Sequence, residues 1–138
     1  MFRTLVIATC AIAALPVQAA SCDIDAQALE SRIADLEPDY GLVLSDISCN
    51  LPTLAAHRIM CDSAEAPRDT LWRMGRLDDL AWVYAYENAT GQEVDLEDPP
   101  RDESFLAARD ACTDEACLCA VLIGHTNDSL GGNSPYPQ

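Results

Sequence analysis

The sequence contains no lysine, and acidic residues greatly outnumber its basic ones. The 138-residue chain has eight arginines against 23 aspartates and glutamates, which gives a formal net charge of −15. A surface this acidic repels nucleic acid and anionic lipid, and it attracts cationic partners. We therefore expect no nucleic-acid ligand and, unless the acidity serves only solubility, a cationic protein partner.

Beyond its first twenty residues, the sequence lacks an apolar run long enough to span a membrane. The N-terminus combines Arg3 with an apolar run over 5–15, and Val17 and Ala19 are small residues that suit a cut after position 19. These features predict a signal peptide at 1–19, with a buried N-terminal helix as the alternative. Loss of the single charge of Arg3 takes −15 to −16. Residues 20–138 are then expected to form one small domain, secreted or periplasmic in a bacterium.

The sequence has no C-x-x-C pair, and its two histidines, His57 and His125, stand alone. A zinc site needs a convergent tetrahedral set of ligands, and a thioredoxin-like site needs C-x-x-C beside a βαβ pattern. We therefore expect no metal and no other cofactor. The cysteine-rich stretch RDACTDEACLCAVL, residues 109–122, is better explained as structural.

Six cysteines remain once Cys10 leaves with the signal peptide, and an even number indicates three disulfides formed in an oxidising compartment. Sequence alone permits fifteen pairings. On a helix, Cys117 and Cys119 point about 200° apart and should have different partners. Cys112 and Cys117 flank a short TDEA corner, where a local disulfide is sterically reasonable. The expected set is Cys22–Cys119, Cys49–Cys61 and Cys112–Cys117.

The segment AASC that ends at Cys22 allows a second interpretation of that residue. It is a weak relative of a lipoprotein box, in which the lipidated cysteine follows small residues, although Ala19 replaces the usual leucine. Lipidation would anchor the protein without a spanning helix. It would also leave an odd thiol, so we favour the disulfide to Cys119.

Apolar residues spaced three and four apart predict helices along most of the chain. The clearest one spans 69–89, with Asp69 as N-cap and Gly91 as terminator. The other predicted helices are 21–37 (ended by Pro38), 52–61, 102–112 and 113–130. Residues 40–47 remain open between a strand and a buried connector, 91–103 are expected to be an acidic loop, and 133–138 a fraying tail. The fold class is therefore all-α, a small disulfide-stapled helical bundle.

Several motifs stand in a fixed order from Cys49 onward. They are Cys49 and Cys61 twelve apart, Leu77-Asp78 followed by Tyr84 and Tyr86, then Phe105, Leu106, Arg109, Asp110 and Cys112, and finally Cys117-Leu118. This ordered set resembles the lysozyme inhibitor LprI-like family of small secreted bacterial helical domains. The resemblance covers 49–130, leaves 20–48 as an N-terminal extension and 131–138 as a tail, and implies a lysozyme-inhibiting role.

The charge and the resemblance together predict a non-enzymatic protein that binds a cationic protein such as lysozyme. Arg101, in the acidic loop, is a candidate to enter a cleft that holds two catalytic carboxylates. Trp72, Trp82 and Tyr86 are candidate contact residues because exposed aromatics are favoured anchors, with core packing as the alternative. The alternative function is a cell-envelope binding or assembly module with an unknown partner.

An enzyme is the third possibility, and the sequence gives it little support. There is no G-x-S-x-G or similar motif of a nucleophile with its base. Asp78 and Asp79 are adjacent on a predicted helix and point about 100° apart, so they do not make a convergent pair. We therefore expect no catalytic residues.

Overall fold

The computed structural model of the protein describes residues 22–65 and 69–138, and the predicted signal peptide at 1–19 lies outside these ranges. The helices are α1 (Ala26–Tyr40), α2 (Ala55–Asp62), α3 (Thr70–Thr90), α4 (Glu103–Asp110) and α5 (Glu115–Leu130), followed by a short 3-10 helix, Gly131–Asn133. No strand occurs in the two described ranges. The prediction of an all-α, disulfide-stapled bundle is confirmed.

The long helix α3 is the centre of the bundle and packs against α1, α2 and α5. Its buried apolar residues recur every three or four positions and are Leu71, Met74, Leu77, Leu80, Ala81 and Val83. They meet Leu29 and Ile33 of α1 and Leu118 and Leu122 of α5 in one core cluster. Burial of each large apolar side chain stabilises the fold by roughly 1.5–3 kcal/mol. The segment 20–48 therefore contributes directly to the core through α1.

Aspartates precede four of the five α-helices, and α2, which follows Leu54, is the exception. The carboxylates of Asp25, Asp102 and Asp114 accept hydrogen bonds from first-turn backbone N–H groups of α1, α4 and α5, which satisfies donors that have no partner inside the helix. Asp69 precedes α3 as predicted, but its side chain makes no capping hydrogen bond. Gly91 ends α3 with φ +67°, a left-handed conformation that favours glycine.

The prediction that Pro38 ends the first helix is wrong, because α1 continues through Pro38 to Tyr40. A proline removes one intrahelical N–H donor, but tertiary contacts hold this last turn in place. Tyr40 Oη donates to Glu87 Oε2 at 3.0 Å, and its ring packs edge-on against Tyr84. The contact of Tyr40 with α3 therefore outweighs the tendency of Pro38 to end the helix.

The segment after α1 is an irregular connector, which decides between the two alternatives for 40–47. Leu44 N donates to Leu96 O at 3.0 Å, so the connector pairs with the acidic loop before α4. Val43 is buried, whereas Leu42 and Leu44 are exposed. The connector is thus held to the bundle at a few points and presents apolar side chains between them.

The tail that is predicted to fray, residues 133–138, packs against the bundle instead. Tyr136 is only 4% exposed and belongs to the core cluster. Asn127 Nδ2 donates to Pro137 O at 2.9 Å, which ties the end of the chain to α5.

The structure joins Cys22 to Cys119, Cys49 to Cys61 and Cys112 to Cys117, which are the pairs expected from the sequence. The paired Cα atoms are 5.5–5.6 Å apart, within the normal range for a disulfide. A sulfur atom in a disulfide does not also carry a lipid. The disulfide interpretation of Cys22 is therefore favoured over lipidation. None of the described helices is long and apolar enough to cross a membrane.

Candidate functional site

A cavity of about 160 Å³ opens between α3, α4, α5, α2 and the connector that follows α1. Its walls are mostly apolar, and four charged side chains reach it. The apolar lining includes Ile47, Met60, Trp72, Phe105 and Leu122, and the charged lining consists of Arg76, Asp78, Asp79 and Arg109. A concave apolar site with a few convergent polar groups is the usual form of a small-ligand pocket.

Gly75 lies beneath Met60 in the wall formed by α2 and α3. A Cβ atom added at Gly75 would lie 2.5 Å from Met60 Cε, so the end of this flexible side chain would have to shift. Gly75 therefore leaves room for the Met60 side chain to pack on α3. The flexible thioether of a methionine suits an irregular wall of this kind.

Arg109 is the centre of a charged cluster on one side of the cavity. Its side chain is buried, and its guanidinium binds both oxygens of Asp46, at 2.8 Å and 2.6 Å. The same group donates to Asp110 Oδ1, which also lies 2.9 Å from His57 Nε2. Burial by itself would lower the pKa of Arg109, but the hydrogen bonds and charges of Asp46 and Asp110 outweigh it and raise that pKa. The cluster is a network of hydrogen bonds and ion pairs that ties the connector to α4 and α2.

Asp78 and His125 form a second buried pair, between α3 and α5. Asp78 is 3% exposed, and His125 Nδ1 lies 2.9 Å from its Oδ1. Thr126 Oγ1 donates to the same oxygen at 3.0 Å. The imidazole is stacked on Phe105 at 3.9 Å and lies 5.3 Å from Trp82, between ring centroids. This sandwich fixes the orientation of the ring.

Burial raises the pKa of the Asp78 carboxyl, and the hydrogen bond and charge of His125 oppose that rise. Burial would lower the pKa of His125, but the hydrogen bond and charge of Asp78 outweigh it, so the His125 pKa is raised. Its Nε2 atom lies 3.5 Å from Asp102 Oδ2. His125 is thus held between two carboxylates.

Asp79 differs from the other charged residues of the cavity because it has no close partner. Among the described residues its one ion-pair contact is Arg101 Nη1 at 4.0 Å, and its carboxylate accepts no hydrogen bond from them. Its side chain is 17% exposed. Burial, followed by the nearby charges of Asp78 and Asp46, raises the pKa of Asp79 to about 7. Its charge therefore changes near neutral pH.

A small adjoining space of about 20 Å³ shares Asp78, Asp79 and Phe105 with the cavity and also contacts Trp82 and Arg101. Its volume is close to that of one water-sized probe, so it is too small for an organic ligand. It extends the polar end of the cavity towards the acidic loop. Within the described residues, no three metal-ligating side chains are placed to hold a metal ion.

The four residues predicted to contact a partner fall in two places. Arg101, Trp82 and Tyr86 lie near the acidic loop, where Trp82 Nε1 donates to Pro100 O at 2.8 Å and its ring centre is 6.2 Å from that of Tyr86. Arg101 Nη2 donates to Leu44 O at 2.9 Å, which holds its guanidinium against the connector. Trp72 lines the cavity instead. All four are partly buried.

Sequence reasoning missed the charged residues that surround the cavity. It treated His57 and His125 as lone, whereas His57 contacts Asp110 and His125 contacts Asp78. One available signal was Asp78, which lies between Leu77 and Leu80 on the apolar face of α3. A charge on a buried face requires a partner from another element. The sequence does not identify that partner.

No family model, no curated protein and no solved structure matches this chain. The resemblance to the LprI-like family therefore stays a hypothesis that depends on the order of its motifs. Function has to be argued from the charges, the surface and the cavity themselves.

Proposed function

We propose that this chain is a secreted or periplasmic, non-enzymatic protein that binds a cationic protein, with a basic lysozyme as the first candidate. The proposal follows the motif resemblance to LprI-like inhibitors and the net charge of −15. The three disulfides support a location in an oxidising compartment. One structural observation carries the proposal, namely how the charges of the two signs are distributed.

Every arginine in the described residues is engaged by its own chain. The six contact carboxylates or backbone carbonyls and are Arg32, Arg58, Arg73, Arg76, Arg101 and Arg109. Many acidic side chains, in contrast, face solvent. The field seen by an approaching molecule is therefore dominated by negative charge, which speeds the encounter with a cationic partner.

The acidic loop between α3 and α4 is the best-defined part of this negative surface. Four of its five acidic residues, Glu93, Asp95, Glu97 and Asp98, are exposed, and the fifth, Asp102, is the N-cap of α4. The loop is nevertheless held in place, because Val94 N donates to Glu87 Oε1 at 2.9 Å and Leu96 O accepts from Leu44 N. A loop that is already ordered loses little conformational entropy when it binds.

We propose a different role for Arg101 from the one that the sequence suggests. To enter a partner's cleft, its guanidinium would first have to leave Leu44 O and the neighbourhood of Asp79. The acidic loop needs no such rearrangement. We therefore place the first contact with a cationic partner on the loop, and Arg101 at its base.

A lysozyme lytic assay with purified protein tests the proposal. We expect protein at roughly micromolar concentration to slow lysis, and the inhibition to weaken as salt rises because the encounter is electrostatic. The triple variant Glu93→Gln, Asp95→Asn, Glu97→Gln should lose most of the inhibition. Unchanged lysis with the wild-type protein would refute a lysozyme target.

A matched control separates the loop from the overall charge. The variant Asp62→Asn, Glu65→Gln, Asp128→Asn also removes three exposed carboxylates, but at other places on the surface. It should inhibit nearly as well as wild type. Equal losses in the two triple variants would mean that net charge alone, and not the loop, drives binding.

The alternative function, an envelope binding or assembly module, is favoured by a separate observation. The exposed large apolar residues in the described ranges are Leu42, Leu44, Leu51 and Leu54. They flank α2 and the connector, whereas Trp72 and Trp82 are partly buried. A pull-down from envelope extract that returns one specific partner other than lysozyme, and loses it when Leu42 and Leu51 become serine, would support this alternative.

A further inference from the structure

We infer that the cavity beside α3 binds a small organic cation, an ammonium group on a compact apolar body, with the Asp79 carboxylate as its counter-charge. This inference rests on the cavity and not on the exposed acidic loop. The protein-binding proposal and this one can therefore fail independently.

All but one of the charged side chains that line the cavity have close partners within the described residues. Arg76 donates to Gly41 O at 2.6 Å and to Val43 O at 3.0 Å, and its Nε lies 3.8 Å from Glu37 Oε1. Arg109, as described above, is bound by two carboxylates, and Asp78 is paired with His125. Each of these groups therefore already has a partner in the chain.

Asp79 is the exception, since its one described ion-pair contact is the 4.0 Å approach of Arg101. A partly buried carboxylate without a close partner is costly, and its elevated pKa is consistent with that cost. A cation bound in the cavity would supply the missing charge. An anion would instead meet two aspartates and only arginines that are already engaged.

The size and the walls of the cavity limit the body of the ligand. Its volume of about 160 Å³ is similar to the roughly 150 Å³ of an engineered apolar cavity that binds benzene. The walls include the ring of Trp72, and an indole face attracts a cation when the two are in contact. A ligand the size of a single six-membered ring with an aminomethyl group matches both requirements.

Calorimetric titration at pH 8 with three ligands of nearly the same shape tests the inference. The probes are benzylamine, benzyl alcohol and benzoate, which are cationic, neutral and anionic. We expect benzylamine to bind about 10- to 100-fold more tightly than benzyl alcohol, which is the usual contribution of a hydrogen bond to a charged group. Binding should also shift the indole N–H resonance of Trp72.

The variant Asp79→Asn should lower the affinity for benzylamine to that for benzyl alcohol, while Asp128→Asn, an exposed position outside the cavity lining, should leave it unchanged. Equal binding of amine and alcohol to the wild type would overturn the inference, because the cavity would then be merely apolar. Tightest binding of benzoate, or no binding of any probe, would overturn it as well. The comparison of probes on the wild type holds even if a variant fails to fold.

Discussion

The carboxylate of Asp78 and the imidazole of His125 form a buried pair that joins the two main helices of the bundle. Nδ1 of His125 lies 2.9 Å from Oδ1 of Asp78, and the two residues are 47 positions apart in the chain. The pair therefore ties the His125 imidazole, which is stacked on Phe105 of α4, to α3. Its integrity is therefore the first property to test.

Replacing Asp78 should destabilise the fold strongly. Asp78→Ala leaves His125 Nδ1 and Thr126 Oγ1 without their acceptor, and breaking one side of a buried ion pair costs about 3–5 kcal/mol. Asp78→Asn keeps an acceptor and should cost about 1–3 kcal/mol. Urea unfolding at pH 7 measures both, with Asp128→Asn as the surface control. A loss below about 0.5 kcal/mol for Asp78→Ala would contradict the buried pair.

The raised pKa of Asp79 predicts how stability depends on pH. In the folded protein its pKa is about 7, compared with 3.8 as the ordinary value. Between these two values the native state holds a proton that the unfolded state has released, so stability falls as pH rises from about 4 to 7. Burial is the main cause, Asp78 and Asp46 add to the rise, and Arg101 and Arg76 oppose it.

Asp79→Asn removes this titration and should stabilise the protein above pH 7, on the order of 2 kcal/mol at pH 8, with little change at pH 4. Denaturant unfolding of wild type and variant at both pH values measures the difference. A gain of the same size at pH 4 and pH 8 would show that the Asp79 charge is not its origin.

The disulfide between Cys22 and Cys119 should contribute more than the other two. It closes a span of 97 residues, compared with 12 for Cys49–Cys61 and 5 for Cys112–Cys117. The loop-entropy model then gives about 4–5, 3 and 2 kcal/mol respectively. Paired serine variants, compared by guanidinium unfolding, test this order. If the Cys112–Cys117 variant lost the most stability, native-state contacts and not chain entropy would dominate.

The buried C-terminal ring gives opposite predictions for two substitutions. Tyr136 is 4% exposed, and its hydroxyl has no hydrogen-bond partner in the described residues. Tyr136→Phe should therefore be neutral or stabilise the fold by about 1 kcal/mol, whereas Tyr136→Ala should cost about 3 kcal/mol. Thermal unfolding distinguishes them. An alanine variant as stable as wild type would mean that the tail is dispensable.

The regular structure of this protein could largely be predicted from local patterns. Apolar spacing of three and four residues predicts all five helices, and α3 begins and ends within one residue of the predicted 69–89. The start of α1 is misplaced, because the helix begins at Ala26 after its N-cap Asp25 and not at residue 21. Two other errors lie at positions where a distant contact outweighs a local preference. Tyr40 extends α1 past Pro38 through its bond to Glu87, and Tyr136 anchors a tail of turn-forming residues.

The candidate site was far less predictable, because its chemistry depends on pairs that are distant in the chain. Arg109 meets Asp46 across 63 residues and His57 lies against Asp110 across 53. Helical periodicity describes which face of a helix is buried, but it does not say which residue of another helix lies opposite. Asp79 stands out as the residue without a close partner only after all these pairs have formed.

The amino-acid sequence by itself determined the helical class, the even set of cysteines and the negative surface, since these follow from composition and short-range spacing. Only the tertiary structure decided where the surplus charge lies. Packing of α3 against its neighbours buries Asp78 and partly buries the adjacent Asp79 beside one cavity. His125 lies 2.9 Å from Asp78, whereas the cation nearest to Asp79 in the described residues is Arg101 at 4.0 Å. The physical reason is that solvation and ion pairing depend on distances in space, which sequence separation does not specify.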